Sequence, residues 1–317
     1  MLMPTYSDVK IAQDRISDYV FRTPVFQYPR LSEALQTELW IKHENYQPIG
    51  SFKLRGSINL MSQMSPNDLN KGMITASSGN HGQAVAHASK IFGASCVICV
   101  PNGANESKVA AIRAMGAEVR FVGDYYDQTA ESAHSFAESE GFYYVDAIQE
   151  PAMIAGAGTY TLEILEDHPD TDVVIVPIGG GSGACGACIA GKGVKEDLEI
   201  IAVQSSSAPA AYRSWKNKKL SEAPMGTIAE GLATSKGYDL PQRILKDLLD
   251  DFILVSDAEM SSAILMYLEM SHTLVEHAGA ASLAAAIKIN ERLQGKKVVI
   301  VLSGGNISIE QLKQILG

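Results

Sequence analysis

Positive charge is scarce in this chain. Against 36 aspartates and glutamates stand only 26 lysines and arginines, a net charge of −10 over 317 residues. Nucleic acids and anionic membranes attract basic faces, so the deficit speaks against both as partners, and an anionic ligand must be held by a local site. Long apolar runs are missing as well: no uninterrupted stretch reaches the roughly 20 residues a bilayer span requires. The opening residues, Met1 to Asp8, lack the basic region and apolar core of a secretory signal, and the expectation is a cytoplasmic location. Cysteine is rare too, with four residues in two pairs, Cys96-x-x-Cys99 and Cys185-x-x-Cys188. Zinc modules space such pairs by about 15–20 residues, and Cys99 and Cys185 are much further apart. Cys96 and Cys99 fall on opposite faces of an apolar strand pattern, so buried thiols are expected at all four positions, with no metal.

What is present describes an ordinary globular protein, with 46% apolar and 20% charged residues. Short apolar runs (39–43, 73–76, 96–101, 118–122, 142–145, 173–178, 199–204, 252–255 and 297–302) alternate with helix-length segments such as 82–92, 106–115, 128–139 and 259–269. That rhythm predicts an α/β fold of mostly parallel sheets with helices on both faces. Ser256-Asp257-Ala258-Glu259 has the form of a capping box, and Gly116 sits where a helix C′ glycine belongs. The βαβ run from Met73 to Asp146 reads as a four-strand unit.

Four segments carry chemistry. Lys53 lies in Ser51-Phe52-Lys53-Leu54-Arg55-Gly56, with Ser51 as a helix N-cap candidate. Only a neutral amine attacks carbon, and a desolvated cleft would disfavour the ammonium form. Gly179-Gly180-Gly181-Ser182-Gly183 follows a buried strand pattern and precedes a small-residue helix start, an arrangement that points backbone N–H groups at an anion. The same run satisfies Gly181-x-Gly183-x-x-Gly186, a dinucleotide fingerprint. That reading expects an acidic residue at the end of the next strand, where Gln204 stands, so a phosphate monoester fits better. A tight turn alone would explain one or two of these glycines. Ser77-Ser78-Gly79-Asn80-His81-Gly82 joins a strand to a helix, where Ser78 or Asn80 is also a candidate cap. Ser303-Gly304-Gly305-Asn306 follows the last strand and is good turn chemistry in its own right.

In this order and spacing the four segments resemble the threonine dehydratase and serine racemase family of pyridoxal 5′-phosphate (PLP) enzymes, and the resemblance runs over essentially the whole chain. It implies a two-domain fold type II PLP enzyme, tryptophan synthase β-like. Residues 1–62 plus 150–317 would form a large cofactor-binding domain, and residues 63–149 a small substrate-closing one. It assigns the Schiff base with PLP to Lys53, with Phe52 beside it, and the phosphate to Gly179, Gly180, Gly181, Ser182 and Gly183. Ser77, Ser78, Gly79, Asn80 and His81 would hold the substrate carboxylate, Asn80 also meeting the phenolic oxygen of the cofactor. Ser303 would face the pyridine nitrogen, where a hydroxyl leaves the ring a weaker electron sink than a carboxylate would and favours β-elimination over transamination. Glu230 is expected to line the cofactor cleft. Glu276 is either a cleft carboxylate or a solvated helix residue, and His277 stands where relatives often have proline. Arg55 is expected to be a structural or rim charge.

Two positions separate branches of the family. Ser78 matches the serine with which its racemases protonate the α-carbon on the face opposite the lysine. Gln204 and Ala210 occupy positions where related enzymes bind a divalent cation through acidic residues, and hard cations need charged oxygen ligands. The expectation is a metal-independent ammonia-lyase (lyase class) acting on a small β-hydroxy amino-acid substrate such as L-threonine or L-serine. The alternative is a serine- or aspartate-type racemase using Lys53 and Ser78 as its two bases. Relatives of this kind lead to an expected homodimer or homotetramer.

Overall fold

The structure, a computed structural model, describes residues 2–317. Its strands are β1 (Val25–Gln27), β2 (Glu38–His43), β3 (Met73–Ala76), β4 (Cys96–Val100), β5 (Glu118–Phe121), β6 (Tyr143–Tyr144), β7 (Val173–Pro177), β8 (Glu199–Ser205), β9 (Asp251–Val255) and β10 (Lys297–Leu302). They form a six-stranded sheet in the order β1-β2-β10-β7-β8-β9 and a four-stranded sheet in the order β5-β4-β3-β6. All pairings are parallel except β1 with β2. Strand β1 was not expected from the sequence: three residues are too few to display a period of two.

The inner strands of both sheets are mostly apolar because helices cover both faces. Within the six-stranded sheet the alternation is strict. Val174, Val176, Val299 and Val301 pack into one core, whereas Val173, Ile175, Val298 and Ile300 pack into the core on the opposite face. The four-stranded sheet divides its residues similarly, with Cys96 on one side and Cys99 on the other. All four cysteines are free and buried, and burial pushes the Cys96 thiol up to about 12, which makes it unreactive. The Ser256 capping box is formed, and Gly116 adopts φ +93° just after the Glu106–Ala114 helix. Among the described residues no helix is long and apolar enough to cross a membrane.

Arg55 is not a rim charge. It is fully buried, and its guanidinium donates to both carboxylate oxygens of Glu44 at 2.8 Å and to those of Glu163 at 2.7 and 2.8 Å. Lys42, also fully buried, donates to Glu163 at 2.5 Å and to the Thr23 carbonyl at 2.7 Å. Two cations and two carboxylates thus cancel, and each cation is held by close acceptors, the condition under which a buried ionic group is tolerated. The network clamps the end of β2 and the Pro151–Asp167 helix to the helix that begins at Lys53.

The parallel topology decides where the chemistry gathers. Lys53, Ser77, Gly179 and Ser303 all lie in segments beyond the carboxyl ends of β2, β3, β7 and β10. In α/β sheets those ends open onto the crevice where ligands bind.

Candidate active site

The residues assigned to the cofactor and substrate from the sequence converge. Phe52, Lys53, Ser77, Ser78, Gly79, Asn80, His81, Gly179, Gly180, Gly181, Ser182, Gly183, Glu230 and Ser303 line one cavity of about 400 Å³ between the two sheets.

Lys53 is the first residue of the Lys53–Met61 helix, and its Nζ donates to Ser182 Oγ at 3.0 Å. No carboxylate pairs with it among the described residues. Burial lowers its pKa to about 8 against the milder opposing pull of Asp146, so a substantial fraction of the amine is neutral near physiological pH. Ser51 does not cap this helix in the usual way. Its hydroxyl accepts only the Lys53 N–H, at 3.4 Å, and the N-cap position belongs to Phe52.

The glycine run wraps the start of the Ser182–Val194 helix, so unpaired N–H groups face the cavity at the positive end of the helix dipole. Gly181 has φ +123°, a conformation that side-chain-bearing residues rarely adopt. A Cβ at Gly179 would lie 2.2 Å from the Gly231 carbonyl oxygen, so this glycine lets the Glu230–Leu232 turn close over the loop. Buried Tyr160 donates its hydroxyl to the Gly183 carbonyl at 2.8 Å and anchors the far end.

Opposite stands the Ser77–Asn80 loop at the head of the Asn80–Phe92 helix. Neither Ser78 nor Asn80 caps that helix with its side chain; Gly79 is the N-cap, and Ser77 Oγ accepts its N–H at 3.2 Å. The Asn80 amide is instead fixed from both ends. Its Oδ1 accepts from Asn306 Nδ2 at 2.7 Å, and its Nδ2 donates to Glu276 Oε1 at 2.8 Å. Glu276 is therefore a cleft carboxylate. Burial raises its pKa to about 7, against the hydrogen bond from Asn80. His277 occupies the first position of the His277–Lys288 helix, where a missing N–H costs nothing, so the site is one at which proline would fit. The His81 ring packs inward, 3.0 Å from the Thr75 hydroxyl, and burial followed by the nearby Lys53 charge lowers its pKa to about 3, leaving it neutral.

Glu230 lies at the cavity mouth and accepts from Lys108 at 2.6 Å, across the gap between the two sheets. Ser303 is buried with its carbonyl accepting the Phe52 N–H at 3.1 Å, while its hydroxyl has no protein partner among the described residues. Gln204, at the position expected to lack a metal ligand, is buried and accepts the Tyr212 N–H at 3.1 Å.

A family model described as pyridoxal-phosphate dependent enzyme matches residues 16–304. The chain belongs to the pyridoxal-phosphate dependent enzymes. It is 37% identical to L-threonine ammonia-lyase of Thermotoga maritima, over 99% of this chain and 78% of that protein. To serine racemase of Schizosaccharomyces pombe it is 32% identical, over 100% of this chain and 98% of the other. The solved structure of maize serine racemase superposes with a TM-score of 0.93 at 31% identity, covering 99% of this chain and 97% of that one.

The residues present fit the cofactor of these pyridoxal-phosphate dependent enzymes. One cavity offers an amine with depressed pKa, a glycine cradle at a helix N-terminus for the phosphate, an amide locked beside the lysine and an unpartnered serine hydroxyl. Several contributors to this cavity carry no recognisable sequence signal: Lys108 at the mouth, and Tyr126, Ile148 and Tyr238 in the wall. They come from loops and helix starts that only tertiary folding brings together.

Proposed function

We propose that the protein is a PLP-dependent ammonia-lyase acting on a small β-hydroxy amino acid such as L-threonine or L-serine. The observation that carries this reading is Lys53, an amine without a carboxylate partner, held between an anion cradle and a second loop that presents N–H groups. The bound cofactor supplies the electron sink that acidifies the substrate α-carbon. The N–H groups of the Ser77–Asn80 loop bind and orient the substrate carboxylate at the head of their helix. Lys53, in its neutral form, takes the α-proton at Nζ. Asn80, its amide direction set by Asn306 and Glu276, would offer its remaining N–H to the phenolic oxygen of the cofactor. The Ser303 hydroxyl, free among the described residues of the cavity wall, would meet the ring nitrogen without imposing a charge. Overall the Cα–H and Cβ–O bonds break and water leaves; water then hydrolyses the resulting enamine, so ammonia and a 2-oxo acid are released with no net gain or loss of water.

The division into a large domain (1–62 plus 150–317) and a small one (63–149) belongs to this reading, the four-stranded sheet supplying the closing half and Lys108–Glu230 bridging the gap. So do a cytoplasmic location and a homodimeric or homotetrameric assembly. A second reading, racemisation, is favoured by Ser78, whose side chain lines the cavity and makes no hydrogen bond among the described residues.

Cofactor-loaded enzyme, Lys53→Ala and Ser78→Ala would be assayed for 2-oxo acid and for enantiomer formation. The substrates are L- and D-threonine, L- and D-serine and 3-hydroxyaspartate, with and without EDTA. Oxo acid from L-threonine or L-serine, insensitive to EDTA and abolished in Lys53→Ala, is the expected result. Enantiomer exchange with little oxo acid, lost in Ser78→Ala, would replace the lyase reading by the racemase one.

A further inference from the structure

The catalytic cavity has a neighbour. A second cavity of about 320 Å³ adjoins it, and Tyr126, Ala147, Ile148 and Tyr238 line both. A substrate side chain leaving the reacting centre in this direction meets that shared wall first and the second cavity behind it.

The polar character of this chamber is one-sided. Asp146 Oδ1 accepts the N–H groups of Ile148 at 2.7 Å and Gln149 at 2.9 Å, which pins the carboxylate in a turn ahead of the Pro151–Asp167 helix. Its other oxygen has no partner, and no lysine or arginine pairs with it among the described residues. Around it stand Tyr126, Tyr144 and Tyr238, whose hydroxyls likewise have no hydrogen-bond partner among the described residues. Burial first, and Asp146 in part, push all three phenols up, so they remain neutral donors. Asp146 also acts on the Lys53 amine, which places its field at the reacting centre. Asp127 and Glu131 line the same cavity as Asp146, and against these three carboxylates stand His134, stacked on Tyr144, and one lysine, Lys236, which is exposed and sits 5.8 Å from the Tyr238 ring centroid. Lys108, in the first cavity, is committed to Glu230. No arginine lines either cavity.

We propose that this second cavity is a side-chain subsite in which Asp146 selects β-substituents carrying a positive charge or a hydrogen-bond donor and rejects β-carboxylates. Under it, 2,3-diamino acids join β-hydroxy amino acids as substrates, and dicarboxylic ones are excluded. The inference rests on the lyase reading above and narrows its substrate class. For a 2,3-diamino acid the step balances without redox. The α-proton passes to Lys53, the Cβ–N bond breaks with its electron pair leaving on nitrogen, and the first ammonia departs. Water then hydrolyses the enamine to a 2-oxo acid and a second ammonia.

Asp146→Asn is the discriminating variant, because asparagine keeps Oδ1 for both backbone N–H groups and removes only the charge. L-Serine, L-2,3-diaminopropionate and L-threo-3-hydroxyaspartate would be compared by kcat/KM. Titration of the bound cofactor's visible band would give their Kd values independently of turnover. The wild type is expected to favour the diamino acid over the hydroxyaspartate, and Asp146→Asn to lower that ratio by about tenfold or more in both readouts. A cation-to-anion ratio that Asp146→Asn leaves unchanged overturns the proposal, and so does a wild type that prefers the hydroxyaspartate, an outcome that needs no folded variant. Absence of oxo acid from serine and threonine would instead overturn the lyase reading, and the Kd ratios would still decide the role of Asp146.

Discussion

Lys42 and Lys53 are both enclosed by protein, and burial lowers the pKa of both, yet they do opposite things. Lys42 ends a strand inside a neutral cluster, with Glu163 and the Thr23 carbonyl as close acceptors. Lys53 opens a helix at the cavity wall with one neutral acceptor, Ser182. A buried cation paired with a carboxylate and a carbonyl serves as a fastener. One left short of partners keeps its neutral form within reach and can react. Arg55 joins the two regions: it belongs to the same helix as Lys53 and to the same network as Lys42, so the fastener holds the reactive amine in place.

The largest effect that tests this contrast is on activity. Lys53→Ala should lower turnover by about 10³-fold or more and abolish the cofactor's visible absorption, with little change in the denaturant midpoint. Retained turnover would remove Lys53 from the chemistry. Next comes stability. Glu163→Ala leaves Lys42 unpaired and strips Arg55 of one of its two carboxylates, so unfolding should become easier by about 3–5 kcal/mol, read from urea denaturation. A loss below about 1 kcal/mol would mean that the cluster is no fastener, and the comparison would fail on that side.

How far the sequence leads follows the same line. The strand rhythm was readable because parallel strands buried on both faces are written as unbroken apolar runs, and nine of the ten strands lie where those runs are. Lys53, the Ser77–His81 loop, the glycine run and Ser303 were readable because each sits in a compact segment at a strand's carboxyl end. The Lys42–Glu44–Arg55–Glu163 cluster was not. Its members are ordinary charges in sequence, and only the packing of β2 against the Pro151–Asp167 helix pairs them. Glu276 and Asn306 were ambiguous for a related reason, since a carboxylate at a helix start and an asparagine in a turn each have a local use that competes with the clamp on Asn80. Asp146 and its tyrosines left no pattern at all: the chamber is assembled from both sheets' loops.

The pH dependence of turnover sharpens the contrast further. Lys53 must be neutral to accept the α-proton, and its pKa is lowered to about 8. The catalytic rate should therefore rise with pH, gaining about tenfold between pH 7 and a plateau near 9. Asp146→Asn removes a charge that favours the ammonium form, so its limb should move to lower pH. A flat kcat profile from pH 6 to 9 would show that the amine is not the titrating base.

The smallest effect belongs to Ser182, the one partner Lys53 has. Ser182→Ala keeps every backbone N–H of the glycine cradle and the helix dipole behind it, and removes a single hydroxyl. A neutral hydrogen bond contributes about 1 kcal/mol net, so the Kd for pyridoxal phosphate should weaken by roughly fivefold, read by equilibrium titration of the apoenzyme. The size of that change separates two kinds of anion site. If the backbone cradle carries the phosphate, the hydroxyl is an accessory and fivefold is near the limit. A loss of 100-fold or more would mean that the side chain holds the phosphate and the glycines serve mainly to let the Glu230–Leu232 turn approach.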